Sequence, residues 1–517
     1  MIKNIKWLLL VSLTIVACTS SEDDVVTVPN SSDGLPLTAG EANFSKYVAI
    51  GDSFAAGFSD GALFIEGQKG SYPNVLAQQF SLVGGGDFTN PFMADNIGGF
   101  SLGGAQIPQF GPRLYLDTVI TLTNPTNTPK PVSGISGTSI TDHLSGSFSN
   151  MGIPGAKSFH LDFPGYGSSM GNPYFARFAS APTATVIDDA IAQSPSFFSL
   201  WIGGNDELGY ATAGGDASVN PLTPPATFDA VYNAMLTKLT TGGRKGVIAN
   251  LPYVTTLPYF YVIKYNQLTQ ANLTVNNVNL VSTLNVQLYT PLHNALTFLG
   301  QGSRINVLSS TGNNPMLMND ETLTPLGPQF TQVLIGGGLD AQTAGALGAI
   351  FGQARQTVPS DLICLSASSR IGRVASVSAD GVASPVPSLS QLGITFPLPD
   401  RYILLPSEVA EIKIATDAYN NTIETAATTF DLAYYKAKDT MDGLTSVTGI
   451  VSNGFTLKSD YVTGGAFSLD GVHPSPRGYA LIANEFIKAI NTKYKSNLKG
   501  VNLGDYRILF PGNPLLF

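Results

Sequence analysis

Four short stretches of this chain carry residue types that together can run an acyl transfer. Gly51-Asp52-Ser53 closes the apolar run 46–50 near the start. Asn150-Met151-Gly152-Ile153-Pro154-Gly155-Ala156 and Ile202-Gly203-Gly204-Asn205-Asp206 lie between, and Asp470-Gly471-Val472-His473 comes near the end. A serine hydroxyl is a weak nucleophile at neutral pH and needs a general base in hydrogen-bond reach, itself held in one tautomer by a third group. Of the four histidines, His473 is preceded by Asp470 at a three-residue spacing, with Gly471 to let the loop fold back. Ser53 is therefore the candidate nucleophile, His473 the base and Asp470 its orienting carboxylate. The developing oxyanion needs donors. Gly155 offers a backbone N–H at close approach and Asn205 a side-chain amide. His143, His160 and His293 read as structural or surface residues, and no metal-ligand spacing is visible.

These residues need elements that bring them together. Gly-Asp-Ser alone is weak, because average usage supplies it by chance about once in ten chains of this length. Its placement matters more. A β-branched and aromatic run closed by Gly reads as a buried parallel strand, and ligands of open α/β sheets sit beyond the carboxyl ends of such strands. Further on, the pattern predicts helices over 71–80, 185–193 and 227–239, strands over 196–202 and 246–250, a helix over 407–428 with Ser407 as N-cap, a strand over 432–435 and a last helix over 478–491. Alternation of this kind implies a parallel sheet with helices on both faces. Two tracts break it, at about 84–145 and about 255–400. The first reads as an insertion with a strand at 114–122 and a turn-rich 124–134, a hairpin overhanging the site. The second contains an Ala/Gly-rich helical stretch, 340–356, read as a packed helix in preference to a lid.

The chain has 517 residues, of which 43% are hydrophobic and 12% charged, so it is a folding globular sequence with long polar-neutral loops. Its net charge of −9 argues against a nucleic-acid partner, which requires clustered Lys and Arg, and no basic patch is visible. Residues 1–18 carry Lys3 and Lys6, an apolar run too short to span a bilayer, and a small-residue end: the parts of a secretory signal. Ile15-Val16-Ala17-Cys18 resembles a lipobox, which makes Cys18 the expected lipidation site and implies a membrane anchor. Thr19-Ser20-Ser21-Glu22-Asp23-Asp24 looks like the Ser/acidic tract of surface-displayed lipoproteins. Residues 19–43 read as a flexible tether, 44–498 as one catalytic domain with insertions, and 499–517 as a C-terminal tail. Cys364, in an apolar run, reads as a small buried hydrophobe.

Gly51-Asp52-Ser53, Gly155, Gly203-Gly204-Asn205-Asp206 and Asp470-Gly471-Val472-His473 fall in the order of the four sequence blocks of the SGNH (GDSL-type) hydrolases, which this chain resembles. The resemblance implies a flavodoxin-like three-layer α/β/α sandwich. It also implies esterase, lipase, acyltransferase or carbohydrate deacetylase activity without metal or organic cofactor. Position by position, it makes Ser53 the nucleophile and, through its own N–H, an oxyanion donor, joined by Gly155 N–H and Asn205 Nδ2, with His473 as base and Asp470 as orienter. Phe54 stands where the family name has Leu. The gap of about a hundred residues before Gly155 leaves Gly104 as its rival, and the family core accounts for about half the chain. The expected substrate is a small-molecule, lipid or acylated-glycan ester in the cell envelope, at the outer membrane. An acyltransferase on the same triad and a non-catalytic glycan- or lipid-binding surface lipoprotein are the alternatives.

Overall fold

The computed structural model describes residues 34–117 and 129–516. The expected signal segment, Cys18 and most of the expected tether therefore lie outside the described residues, as does part of the strand expected over 114–122. Five strands form one wholly parallel sheet: β1 (Tyr47–Gly51), β2 (Asn150–Gly152), β3 (Phe197–Trp201), β4 (Lys245–Ala249) and β5 (Ala433–Tyr435). They lie in the order β5-β4-β3-β1-β2, so the chain reverses direction across the sheet beside β1, where doubly wound folds open a crevice. Gly51 pairs with Gly152 on one side and Trp201 on the other, which puts the carboxyl ends of three strands level around Ser53.

Helices cover both faces. Side chains alternate along a strand, and Phe197 and Trp201 of β3 point the same way, onto Tyr494 and Phe486 of the long C-terminal helix Pro476–Tyr494, with ring centroids 5.8 and 5.9 Å apart. The helix Tyr72–Ser81 packs beside it. The opposite face is covered by Val186–Ala192, Pro225–Thr240 and Pro406–Thr429, the last two joined by the stacked rings of Phe228 and Tyr419, 4.3 Å apart. Strands buried on both sides read as the continuous apolar runs seen in the sequence. The molecule is thus mixed α/β, with a five-stranded parallel sheet between helices.

Several boundaries differ from expectation for local reasons. The helix expected from Ser407 begins at Pro406, with Leu405 as N-cap. Pro suits the first helical position because it lacks the N–H that would be unpaired there, and Glu408 reaches back to accept the Leu405 N–H at 2.6 Å. The stretch 340–356 is a helix only over Ala341–Phe351, capped by Asp340. It packs on Gly327–Gly336 through Gly348, and Ala354–Gln356 that follow are a strand paired with Leu317–Asn319. The last helix starts two residues earlier than the pattern implied, at Pro476, because Ser475 caps it by accepting the Gly478 N–H at 3.0 Å.

The tract 255–400 builds a second apolar core of its own, around Tyr289, Leu296, Met316, Phe330 and Phe351, inside the crossover from β4 to β5. The tract 84–145 carries two short hairpins, Ser101–Leu102 with Ala105–Gln106 and Leu114–Leu116 with Pro129–Pro131. Both ends of the described span are packed down. Glu41 donates its N–H to Tyr494 O, and Arg477 bonds the carbonyls of Leu503 and Tyr506. Residues 34–43 of the expected tether and 499–516 of the expected tail thus belong to the folded body.

Candidate active site

Asp52 turns the corner from β1 into the short helix Ser53–Ala56, accepting the Phe54 N–H on its side chain at 2.9 Å. Ser53 is therefore the first residue of a helix, a position whose N–H has no intrahelical acceptor. Its Oγ lies 2.8 Å from His473 Nε2. The other ring nitrogen, Nδ1, is 2.9 Å from Asp470 Oδ2. Residues 420 positions apart in the chain thus meet in one relay, and the tautomer with hydrogen on Nδ1 leaves Nε2 able to accept the serine proton.

Asp470 is fixed from several sides. Its Oδ1 accepts the N–H groups of Val472 and His473, and its Oδ2 also accepts Gly61 N–H at 2.9 Å. Burial would raise its pKa, but the His473 charge and these hydrogen bonds outweigh burial and hold it at about 2, so it is an anion at neutral pH. The loop carrying Gly61 is itself tied to the His473 loop. Asp60 donates its N–H to Ser468 Oγ and accepts Leu469 N–H, both at 2.9 Å. The rings of Phe54 and Phe58 flank the imidazole at 5.5 and 4.6 Å.

The two oxyanion candidates are brought together. Asn205 begins the helix Asn205–Thr212, and its Nδ2 donates to Ala156 O at 3.0 Å, tying the end of β3 to the loop after β2. Asp206 strengthens the tie by accepting Ser158 N–H and Oγ–H at 2.8 and 2.6 Å. Gly155 sits between, in a Pro-Gly turn closed by Ala156 N–H to Ile153 O, with φ of +80°, a conformation glycine adopts without strain. Asn172 steadies that turn by donating to Pro154 O at 2.8 Å. Gly104 lies instead in the exposed turn of the Ser101–Gln106 hairpin, with nothing within 4 Å of where a Cβ would stand.

A hollow of about 40 Å³ opens at Ser53 and Asn205, walled by Phe54, Trp201, Leu208 and Leu251. Asp52 borders it. Burial raises the Asp52 carboxyl to about 7, against the Phe54 N–H and the His473 charge, with Asp206 adding to the rise.

The other histidines have structural partners: His143 Nδ1 meets Ala176 O, His293 Nδ1 meets Ile305 O, and His160 Nδ1 accepts Lys157 N–H while its ring stacks on Tyr166. Cys364 is fully buried, its thiol pushed up to about 12. Among the described residues, Glu321, Asp400 and Glu408 are brought close enough for metal-ligand spacing, with oxygens within 4.8 Å of one another. Burial and the neighbouring carboxylates raise Asp400 to about 8 and Glu408 to about 7. Their separation in the chain hid this cluster from a search for local spacing. None of the three lines the hollow at Ser53.

Sequence reasoning missed Gly61, Ser158 and Asn172. Only Gly61 had a signal, the Asp-Gly turn beside it. No protein-family model matches this chain, and neither curated proteins nor solved structures yield a match.

Proposed function

We propose that this protein is a serine esterase of the cell envelope that works through an acyl-enzyme, on a flavodoxin-like three-layer sandwich of the SGNH (GDSL-type) kind. The observation that carries the reading is the unbroken relay Ser53 Oγ, His473 Nε2, His473 Nδ1, Asp470 Oδ2, with contacts of 2.8 and 2.9 Å, at the carboxyl edge of a parallel sheet. In the reaction His473 takes the Ser53 proton as Oγ bonds the ester carbonyl carbon. The oxyanion rests on Ser53 N–H, Gly155 N–H and Asn205 Nδ2. Collapse expels the alkoxide, which leaves with the proton from His473, and water repeats the sequence to release the acid.

Gly155 is preferred to Gly104 because its loop leaves the strand that pairs with β1 and is hydrogen-bonded to Asn205 through Ala156. Small-molecule, lipid and acylated-glycan esters fit the chemistry, and the relay itself calls on no cofactor. Lipidation at Cys18 would hold the enzyme at the outer membrane, with its acidic tract favouring surface display. Incorporation of labelled palmitate into the full chain, abolished by Cys18→Ser, tests that anchor.

The decisive experiment is hydrolysis of chromogenic short-chain esters by the wild type and Ser53→Ala, with fluorophosphonate labelling of Ser53. Loss of activity by about 10⁴-fold or more in the variant is expected. Equal rates in both would overturn the reading, and no labelling at all would favour the binding-lipoprotein alternative. An acyltransferase on the same triad is distinguished by analysing products with an alcohol acceptor present.

A further inference from the structure

One carboxyl buried beside the relay has no part in the reaction. Asp60 is 1% exposed and stands in the turn 59–62, which closes on itself by Ser59 N–H to Ala62 O and Ala62 N–H to Ser59 O, both at 3.1 Å. The turn follows closely on the nucleophile, for Phe58 N–H reaches Ser53 O at 3.0 Å. It then clasps the loop that carries the base. Ser59 Oγ donates to Pro474 O at 3.1 Å, Asp60 N–H donates to Ser468 Oγ at 2.9 Å, and Asp60 Oδ1 accepts Leu469 N–H at 2.9 Å. Gly61 N–H completes the clasp on Asp470 Oδ2, the oxygen that faces His473 Nδ1. These bonds land on both sides of the Asp470 and His473 pair. From the far side Leu114 N–H holds Asp60 O at 2.7 Å, so the insertion 84–145 keeps the turn in place.

Asp60 has a φ of +51°, a left-handed bend that residues other than glycine rarely adopt. Such a bend persists where its surroundings fix it. Its second oxygen, Oδ2, is buried and has no hydrogen-bond partner. Burial raises the carboxyl to about 7, against the Leu469 N–H and Arg113, with the Asp470 charge adding to the rise. What the fold takes from Asp60 is one acceptor oxygen, which an amide supplies as well as an acid.

We infer that Asp60 is a positioning residue for the reaction: by holding Leu469 and the bend before Gly61, it fixes the Asp470 carboxylate, and through it the His473 ring, within reach of Ser53. This rests on the esterase reading and names the part that couples the nucleophile's turn to the base's loop. Asp60 itself touches neither the substrate nor the reacting atoms.

Asp60→Gly and Asp60→Asn separate the side chain from the backbone. Glycine takes the bend without strain and keeps both backbone N–H groups, losing only the Oδ1 acceptor. Asparagine keeps that acceptor and tolerates a positive φ. On p-nitrophenyl acetate, Asp60→Gly should lower kcat about 10- to 100-fold with KM within about twofold of wild type, the scale of a misplaced catalytic group, and Asp60→Asn should recover kcat to within about threefold. Ser468→Ala takes the acceptor from Asp60 N–H and tests the same clasp from the loop's side, should Asp60→Gly not fold. It should lower kcat with KM unchanged. Full kcat in Asp60→Gly, equal losses in the Gly and Asn variants, or a change in KM alone would overturn the inference, as would full kcat in Ser468→Ala if that variant stands in.

One-dimensional proton NMR gives a readout that needs no turnover, the low-field resonance of the Nδ1–H held between His473 and Asp470. It should be present in the wild type and Asp60→Asn and be shifted upfield or lost in Asp60→Gly. If the wild type hydrolyses no ester, the esterase reading fails on its own, and loss of this resonance in Asp60→Gly alone would still support the positioning role. A resonance unchanged in Asp60→Gly, or absent from the wild type, would overturn it.

Discussion

Asp470 shows how much of a side chain's work is done by its neighbours. Three N–H donors and the imidazole converge on it, and Asn at that position would present an amide N–H₂ where an acceptor is needed. Asp470→Asn should therefore hold the wrong His473 tautomer and lower kcat by about 10⁴-fold, measured on any hydrolysed ester. On the proposed mechanism Asn205→Ala removes one oxyanion donor and should cost about 10²- to 10³-fold in kcat with little change in KM. Ser53, His473, Asp470 and Asn205 were legible in the sequence because their chemistry demands particular residue types and the chain supplies them beside glycine turns. Gly61 and Asn172 were not. One gives a backbone N–H, which any residue but proline carries, and the other holds a turn it meets only after folding. Phe54, which stands where the family name has Leu, borders His473 and the hollow at Ser53.

The regular elements were legible where a long apolar period sat between turn residues, as in the strand Phe197–Trp201 and the helix Pro225–Thr240. The short ones were not. Asn150–Gly152 is a strand only because it pairs with β1, and three residues carry no period. Gly152 in that strand shows what the pairing demands. A Cβ there would stand 2.2 Å from the backbone nitrogen of Ala56, in the helix that begins with Ser53. Gly152→Ala should force that helix away from the sheet, costing about 1 to 3 kcal/mol of stability by overpacking. The displaced Ser53 would also lose reach of His473, so kcat should fall more than the lower melting temperature explains. Thermal melts and kinetics of the same preparation check this.

On the scale of the whole molecule, the parallel sheet was legible and the second core was not, since the tract 255–400 has no repeat and its buried residues are scattered among polar loops. The molecule also hides several carboxyls. Asp52 and Asp60 are raised to about 7 by burial first, as is Glu408, and Asp400 to about 8. In the unfolded chain such groups ionise near 4. The folded state thus binds more protons than the unfolded one between about pH 4 and 8, and stability falls as pH rises through that window. The melting temperature should be higher at pH 5 than at pH 8 by on the order of a few degrees, measured by calorimetry in matched buffers. A flat profile would mean that those carboxyls are ionised at neutral pH.

If Ser53 and His473 act as proposed, the 420 positions between them govern when the protein can act as well as how. A ribosome delivers Ser53 early and His473 late, with four of the five strands of the sheet and the second core made in between. Until the DGVH loop has been synthesised and the C-terminal helix has docked on the sheet, the serine has no base. On the proposed mechanism, a partial chain could neither cleave an ester nor trap an acyl group. Latency of this kind would come from chain order alone.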